Sequence, residues 1–323
     1  MKILIIRLSS IGDIVLTTPV VRCFKNQEPE TEIHYLLKKQ YQDVMKNNPY
    51  IDKLYFFEDN FTQLLEELKE EEFDFIIDLH KNLRSGRIKR ALQLPSDSFN
   101  KINIEKYLIV NFKLNFLPDK HIVDRYFEAL EMYGIKNDGK GLDYFITKEE
   151  EQLALEKTEN LESPYYAFVL GATFFTKKYP ADKIIEICEK IKTNVVLLGG
   201  IEDQEIGDRI AQACGSHVHN FCGKLSINES AGLIKNASKV LTNDTGLMHI
   251  AAAYKKDIIT FWGNTIPEFG MYPYKTNHYN AQVEKLKCRP CSKLGYKTKC
   301  PKGHFKCMLN IDQQAILDQL ISI

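Results

Sequence analysis

The chain has 323 residues, 44% of them hydrophobic and 27% charged, the balance of an ordinary globular protein with room for roughly two domains. Its 43 Lys and Arg equal its 43 Asp and Glu, so no overall field points to nucleic acid. No apolar run is long enough to span a bilayer, and the first one ends at Arg7 with no small-residue cleavage site after it, which argues against a signal peptide and for a cytoplasmic protein.

In chain order, residues 2–6 form an apolar, branched run of strand length. Ser9, Ser10, Ile11 and Gly12 make a turn, and from Asp13 onward Ile14, Leu16, Val20, Val21 and Phe24 recur at helical spacing. Strand, glycine-containing turn and helix open a doubly wound α/β sheet, whose ligands sit at the carboxyl ends of its strands. Asp13 stands at that edge. It suits a general base for a substrate hydroxyl, and equally a capping box with Ser10 at the positive end of the helix. Strands are expected at 32–37, 53–57 and 73–80, with a short helix at 41–47 and another at 61–69. This alternation predicts a parallel sheet. The last strand runs into His80, Lys81, Arg84, Arg87, Lys89 and Arg90. Such a basic stretch fits an anionic or membrane-surface acceptor, and also a solvated helix face. Residues 95–120 are irregular, 119–133 are helical and 147–159 form a polar helix. The domain boundary is expected between 140 and 162.

The second half repeats the plan, with strands at 165–170, 194–198, 218–222, 239–242 and 257–262. Helices open at Pro180, at Glu202 and Glu205, at 226–236 and at 250–254. The strand at 165–170 leads into a threonine-rich loop with Thr173 and Lys177. A lysine there can neutralise a departing phosphate, or be an ordinary exposed loop lysine. Gly199 and Gly200 end the next strand, and Glu202 beyond them can hold ribose hydroxyls. Asp244, Thr245 and Gly246 sit at a strand-to-helix turn where backbone amides and a hydroxyl can approach a phosphate. Asp244 and His249 read equally as an N-cap and a packed histidine. The chain lacks a G-x-x-x-x-G-K-[ST] loop, a complete G-x-G-x-x-G in the first turn and a G-x-S-x-G elbow. These absences argue against a P-loop NTPase, a nicotinamide dehydrogenase and a hydrolase elbow.

Four blocks together resemble glycosyltransferase family 9, the ADP-heptose:lipopolysaccharide heptosyltransferases, over nearly the whole chain. They are Arg7-Leu8-Ser9-Ser10-Ile11-Gly12-Asp13, Lys177-Lys178-Tyr179-Pro180, Leu198-Gly199-Gly200 with acids following, and Asn243-Asp244-Thr245-Gly246-Leu247-Met248-His249. The resemblance implies the GT-B fold, an α/β architecture of two Rossmann-like domains with parallel sheets facing a central cleft. It also implies inverting transfer with no metal and no cofactor. Asp13 would then be the base that deprotonates the acceptor hydroxyl, and Lys177 would steady the diphosphate of the leaving ADP. Thr245 and Gly246 would bind that diphosphate, Asp244 and His249 would shape the donor sugar site, and Thr173 would belong to the same donor site. Glu202, or Glu205 close by, would hold the ribose. Ser10, Gly12, His80 and Arg84 would form the acceptor side. The implied partners are an ADP-sugar donor and a phosphorylated lipid A–core acceptor, with no nucleic acid. The implied location is peripheral, at the cytoplasmic face of the inner membrane. Tyr179 stands where the best-known members carry Trp, and Phe261-Trp262-Gly263-Asn264-Thr265-Ile266-Pro267 replaces a Phe-Gly-Pro-Thr type of loop. Alternatives are therefore a GT-B transferase for another NDP-sugar and a non-catalytic sugar-nucleotide or glycan-binding protein.

The expected domains are 1–155 for the acceptor and 156–310 for the nucleotide sugar, with a terminal helix at 311–323 packing back on the first domain. Of the eight cysteines, Cys23, Cys188, Cys214 and Cys222 are scattered through apolar patterns as free thiols. The others are spaced Cys288-x2-Cys291-x8-Cys300-x6-Cys307, with His304 close by. The first pair has zinc-ribbon spacing and the second does not. Metal-bound, paired and free thiols stay open, and no metal is assigned.

Overall fold

The computed structural model describes residues 1–158, 161 and 164–321. By contacts the chain divides into two compact units, Met1–Lys101 with Lys120–Phe145, and Ile102–Asp119 with Ile146–Ile323.

The first unit contains β1 (Lys2–Ile6), α1 (Ile11–Val15), α2 (Thr18–Gln27), β2 (Glu32–Lys38), β3 (Lys53–Phe57), α3 (Phe61–Glu70), β4 (Phe75–Asp78), α4 (Leu83–Leu92) and β5 (Ser96–Ser98). Its strands pair in parallel in the order β3-β2-β1-β4-β5. Ile3 to Ile6 are fully buried, as a central strand covered on both faces requires. The helix expected from Asp13 is two helices. Pro19 falls in the first turn of α2, where its missing N–H costs nothing, but it cannot continue a preceding helix. The short helix expected at 41–47 is a 3-10 helix, Lys39–Val44.

Residues 95–120, irregular by sequence pattern, carry β5 and α5 (Asn103–Phe112). Helix α5 belongs to the second unit, because Ile109, with Val110 and Leu117, packs on Ile266 and Phe269. The chain then returns to the first unit with α6 (Ile122–Phe127), which continues as a 3-10 turn, Glu128–Tyr133.

The second unit continues with α7 (Lys148–Glu156), β6 (Tyr165–Val169), α8 (Ala181–Cys188), β7 (Asn194–Leu198), α9 (Gln204–Cys214), β8 (Val218–Asn220), α10 (Ile227–Asn236), β9 (Lys239–Asn243), α11 (Gly246–Ala253), β10 (Asp257–Trp262), β11 (His278–Gln282), α12 (Lys306–Leu309) and α13 (Gln313–Ile321). Its parallel sheet runs β11-β10-β9-β6-β7-β8. Strand β11, His-Tyr-Asn-Ala-Gln, escapes notice in the sequence because it is a half-exposed edge without an apolar run. The expected boundary at 155/156 falls inside α7, and the units part before it. The terminal helix does not pack on the first unit. Ile316, Leu317 and Leu320 of α13 join Phe168, Val195 and Phe261 in the second unit's core, and the Tyr166 hydroxyl donates to the Leu320 carbonyl at 3.2 Å. The helix ends expected at Glu159 and Ile323 lie outside the described residues.

Each sheet reverses its winding once. In the first unit β1 lies between β2 and β4, and in the second β6 lies between β7 and β9. The carboxyl ends of the β1/β4 and β6/β9 pairs are therefore topological switch points, where the diverging loops leave room for ligands.

Candidate functional site

At the first switch point, the loop after β1 carries Arg7 and the helix after it carries Asp13. One Asp13 oxygen accepts from the Ser10 backbone N–H at 3.2 Å and the Ser10 hydroxyl at 2.9 Å. The other meets Arg7 Nη2 at 2.6 Å. Arg7 itself is 8% exposed and ties the two central strands together. Its Nε donates to the Ser9 carbonyl at 3.0 Å and its Nη1 to the Leu79 carbonyl beyond β4. Burial opposes the guanidinium charge, and the Asp13 carboxylate more than offsets it, so the Arg7 pKa is raised. The Asp13 side chain remains 26% exposed. Both sequence expectations for Asp13 are compatible with this geometry: its carboxylate closes a capping box with Ser10 and still presents an edge to solvent.

His80 follows β4 and is nearly buried, at 8% exposure. Its Nε2 lies 2.6 Å from the Asn82 side-chain amide. Burial, then the charges of Arg7 and Lys101, push its pKa down to about 4, so a neutral imidazole stands beside the Arg7–Asp13 pair. The turn is organised by buried Asp78, a residue the sequence pattern did not single out. It accepts from the backbone of His80 at 3.0 Å and of Lys81 at 2.7 Å, and from the Ser85 hydroxyl at 2.9 Å. The basic stretch is largely committed elsewhere. Lys81 donates to the Phe99 carbonyl, Lys89 pairs with Asp78, and Arg87 covers the Phe61 ring. Arg84 is exposed and, with Lys38 and Lys39, lines an open depression of about 520 Å³.

At the second switch point, the loop after β6 brings Lys177 Nζ to 2.5 Å from Asp244 Oδ2, at the end of β9. The Thr265 hydroxyl donates to the same oxygen at 3.0 Å. The preceding residue, Asn243, is the staple. Its Oδ1 accepts from the Tyr179 N–H at 2.9 Å, and its Nδ2 donates to the Leu170 carbonyl at 2.9 Å. Tyr179 stacks on Phe261 with centroids 4.2 Å apart, and Phe261 stacks on Phe168. The aromatic of the Lys-Tyr-Pro motif is thus a core anchor for the lysine loop. Thr245 precedes α11 without capping it, and the first-turn amides of that helix begin at Gly246. Thr173 is exposed, whereas His249 is 2% exposed and packed inside α11.

Glu202 and Glu205 are both exposed. The acid held at the end of β7 is Asp203, at 1% exposure. It accepts from Lys178 Nζ at 2.5 Å and from the Gly200 N–H at 3.1 Å. Sequence reading passed over this pair. A lysine directly after Lys177 and an acid three residues after Gly200 are its only signals. Beside the pair lies an apolar cavity of about 270 Å³ walled by Leu170, Tyr179, Pro180, Ile184, Ile206 and Phe305.

Residues 61–301 match the model of glycosyltransferase family 9 (heptosyltransferase). The chain is 25% identical to lipopolysaccharide heptosyltransferase 1 of Campylobacter coli, over 88% of this chain and 89% of that protein. It is 28% identical to lipooligosaccharide heptosyltransferase 2 of Haemophilus influenzae, over 83% of this chain and 85% of that protein. Among solved structures, the Escherichia coli ADP-heptose lipopolysaccharide heptosyltransferase II superposes with a TM-score of 0.74 at 20% identity, covering 99% and 97% of the two chains. The fold is therefore GT-B, and the chain belongs to glycosyltransferase family 9, the heptosyltransferase family.

Proposed function

We propose that the protein transfers a heptose from ADP-heptose to a hydroxyl of a phosphorylated lipopolysaccharide-core acceptor, with inversion at the anomeric carbon and no catalytic metal. The observation that carries this proposal is the chemistry of the two switch points: a solvent-edged carboxylate fixed on one sheet, and a lysine beside a free helix start on the other. The named activities of the relatives support the donor and acceptor classes.

Asp13 takes the proton of the acceptor hydroxyl as its oxygen attacks the anomeric carbon. The bond from that carbon to the β-phosphate oxygen breaks, and ADP leaves with the electron pair. Arg7 and Ser10 hold the carboxylate so that one edge faces the substrate. Lys177 and the amides at Gly246 meet the charge that develops on the diphosphate, with the Thr245 hydroxyl beside them. Asp244 keeps Lys177 in place until phosphate competes for it. The apolar cavity receives the adenine, and Glu202 and Thr173, both exposed nearby in sequence, contact ribose and phosphate. Neutral His80 lines the acceptor side, and Arg84 with Lys38 and Lys39 binds an acceptor phosphate. No helix among the described residues is long and apolar enough to cross a membrane. A lipid-linked acceptor would bring the protein to the membrane surface as a peripheral enzyme.

Incubation with ADP-heptose and a Kdo–lipid A acceptor tests this. The expected result is ADP release matched by a heptosylated glycolipid whose anomeric configuration is opposite to the donor's. Retention of configuration, preference for UDP- or GDP-sugars, or ADP binding without turnover would each overturn it.

A further inference from the structure

Between β11 and α12, residues 283–305 contain no helix or strand. Irregular segments this long are uncommon in compact domains unless something ties them down. Here the segment is tied to the second switch point. Thr176 and Tyr296 exchange backbone contacts, with Tyr296 N–H donating to the Thr176 hydroxyl at 2.9 Å. Arg289 donates to the carbonyls of Gly263 at 2.7 Å and Thr265 at 2.9 Å. Cys291 N–H donates to the Asn264 carbonyl at 3.2 Å. The neighbours of Lys177 and Asp244 thus rest on this segment, which also carries Cys288, Cys291 and Cys300 and leads into Cys307.

We propose that Cys288, Cys291, Cys300 and Cys307 bind one structural zinc ion, with His304 as a hydrogen-bond donor outside the metal shell. The four cysteines are neighbours. Cys307 interacts electrostatically with the other three, and Cys291 with Cys288 and Cys300. All four are free thiols. Burial, then the neighbouring thiols, push Cys307 up to about 12, so deprotonating the group needs a compensating cation, which zinc supplies. A zinc tetrathiolate carries a net charge of about −2, and two cations flank the cluster. Lys113 acts on Cys288 and Cys291 and hydrogen-bonds the Pro290 carbonyl at 2.5 Å, while Arg289 acts on Cys288 and Cys307.

The tautomer of His304 excludes it from the ligand set. Its Nδ1 accepts from the Lys306 N–H at 3.1 Å, so Nε2 carries the hydrogen and points it at Cys288 Sγ, 3.8 Å away. That is the role of an outer-shell donor to a thiolate. Among the described residues, the trio of potential ligand atoms within 4.8 Å of one another is Glu32, His34 and Glu71. That trio needs no metal, because Glu71 is already held by Lys2, Lys53 and Tyr55. The thiols are less tightly gathered, and zinc draws the irregular segment inward around them.

The test is metal content of the full chain purified without chelator, followed by chelator treatment and reloading with zinc or cobalt alone. The expected zinc-to-chain ratio is about one, and cobalt should give the visible and thiolate charge-transfer bands of a tetrahedral sulfur site. The double substitution Cys288→Ser with Cys300→Ser should abolish both signals. His304→Ala should keep the stoichiometry and weaken the metal about 10–100-fold in competition with a chelator. Should the serine variant fail to fold, the cobalt spectrum of the unaltered chain decides. Absence of metal uptake by the unaltered chain, or two native disulfides by mass, overturns the proposal. Loss of all metal in His304→Ala overturns the tetrathiolate set. The consequence for Lys177 rests on the transferase proposal, but metal stoichiometry does not, so the two fail separately.

Discussion

The two switch points solve one problem with opposite charges. In the first unit a buried arginine holds an acid that faces solvent. In the second an acid holds a lysine. The difference lies in sequence distance. Asp13 is oriented by Arg7 and Ser10, within six positions of it. Lys177 meets Asp244 67 residues away and shares that carboxylate with Thr265. The first arrangement is locally encoded, and the second depends on three strands lying side by side. Damage to a neighbouring loop should therefore perturb Lys177 far more than Asp13.

Predictions follow from the largest effect down. Asp13→Asn should lower kcat about 10²–10⁴-fold while calorimetric ADP affinity stays unchanged; parallel loss of both would remove its role as base. Lys177→Met should lower kcat about 10²–10³-fold and, unlike the first variant, weaken ADP binding. Unchanged ADP affinity would break the contrast between the two sites.

His80 gives a pH-dependent difference. Its folded pKa of about 4 lies below the ordinary value of about 6.5. Between these values the unfolded chain binds a proton that the folded chain refuses. The stabilisation is fully present above about pH 6.5 and is lost as pH falls toward 4, by about 3 kcal/mol at most. Urea midpoints measured across this window should fall with acid in the unaltered chain and stay flatter in His80→Gln.

Arg7→Lys keeps the charge but loses the fork that joins Ser9, Leu79 and Asp13, so kcat should drop about tenfold with KM and ADP affinity held. A loss in KM alone would make Arg7 a substrate contact instead of a positioning group. The smallest effect is expected for Thr265→Val, which removes one hydrogen bond to Asp244. It should raise the barrier by about 1 kcal/mol, seen as slower turnover with ADP affinity little changed.

Legibility varied with the range of the interactions. Strands β1, β4, β6, β7, β9 and β10 announce themselves as buried apolar runs. Strand β11 and the 3-10 segments do not, because edge strands and short turns carry little periodicity. Asp13 and Lys177 stand out through turn chemistry and the family motif. Arg7, Asp78 and the Lys178–Asp203 pair do not, since a buried ion pair looks like two surface charges until the chain folds. The choice between Glu202 and Glu205 overlooked Asp203, because helical periodicity alone does not say which side of the turn faces the sheet. Helix α5 was assigned by chain order to the first domain, yet Ile109 finds its apolar partners, Ile266 and Phe269, in the second.

What the sequence by itself determined is the alternation of strand and helix, the two-fold repetition of that plan and the loops that carry chemistry. Those properties follow from local hydrophobic period and from glycine and proline at turns. The tertiary structure alone decided the strand order, and with it the two switch points, the partner of Lys177 and the unit against which α13 packs. Each of these depends on contacts between residues far apart in the chain, made where burial of apolar area and neutralisation of buried charge can be satisfied together.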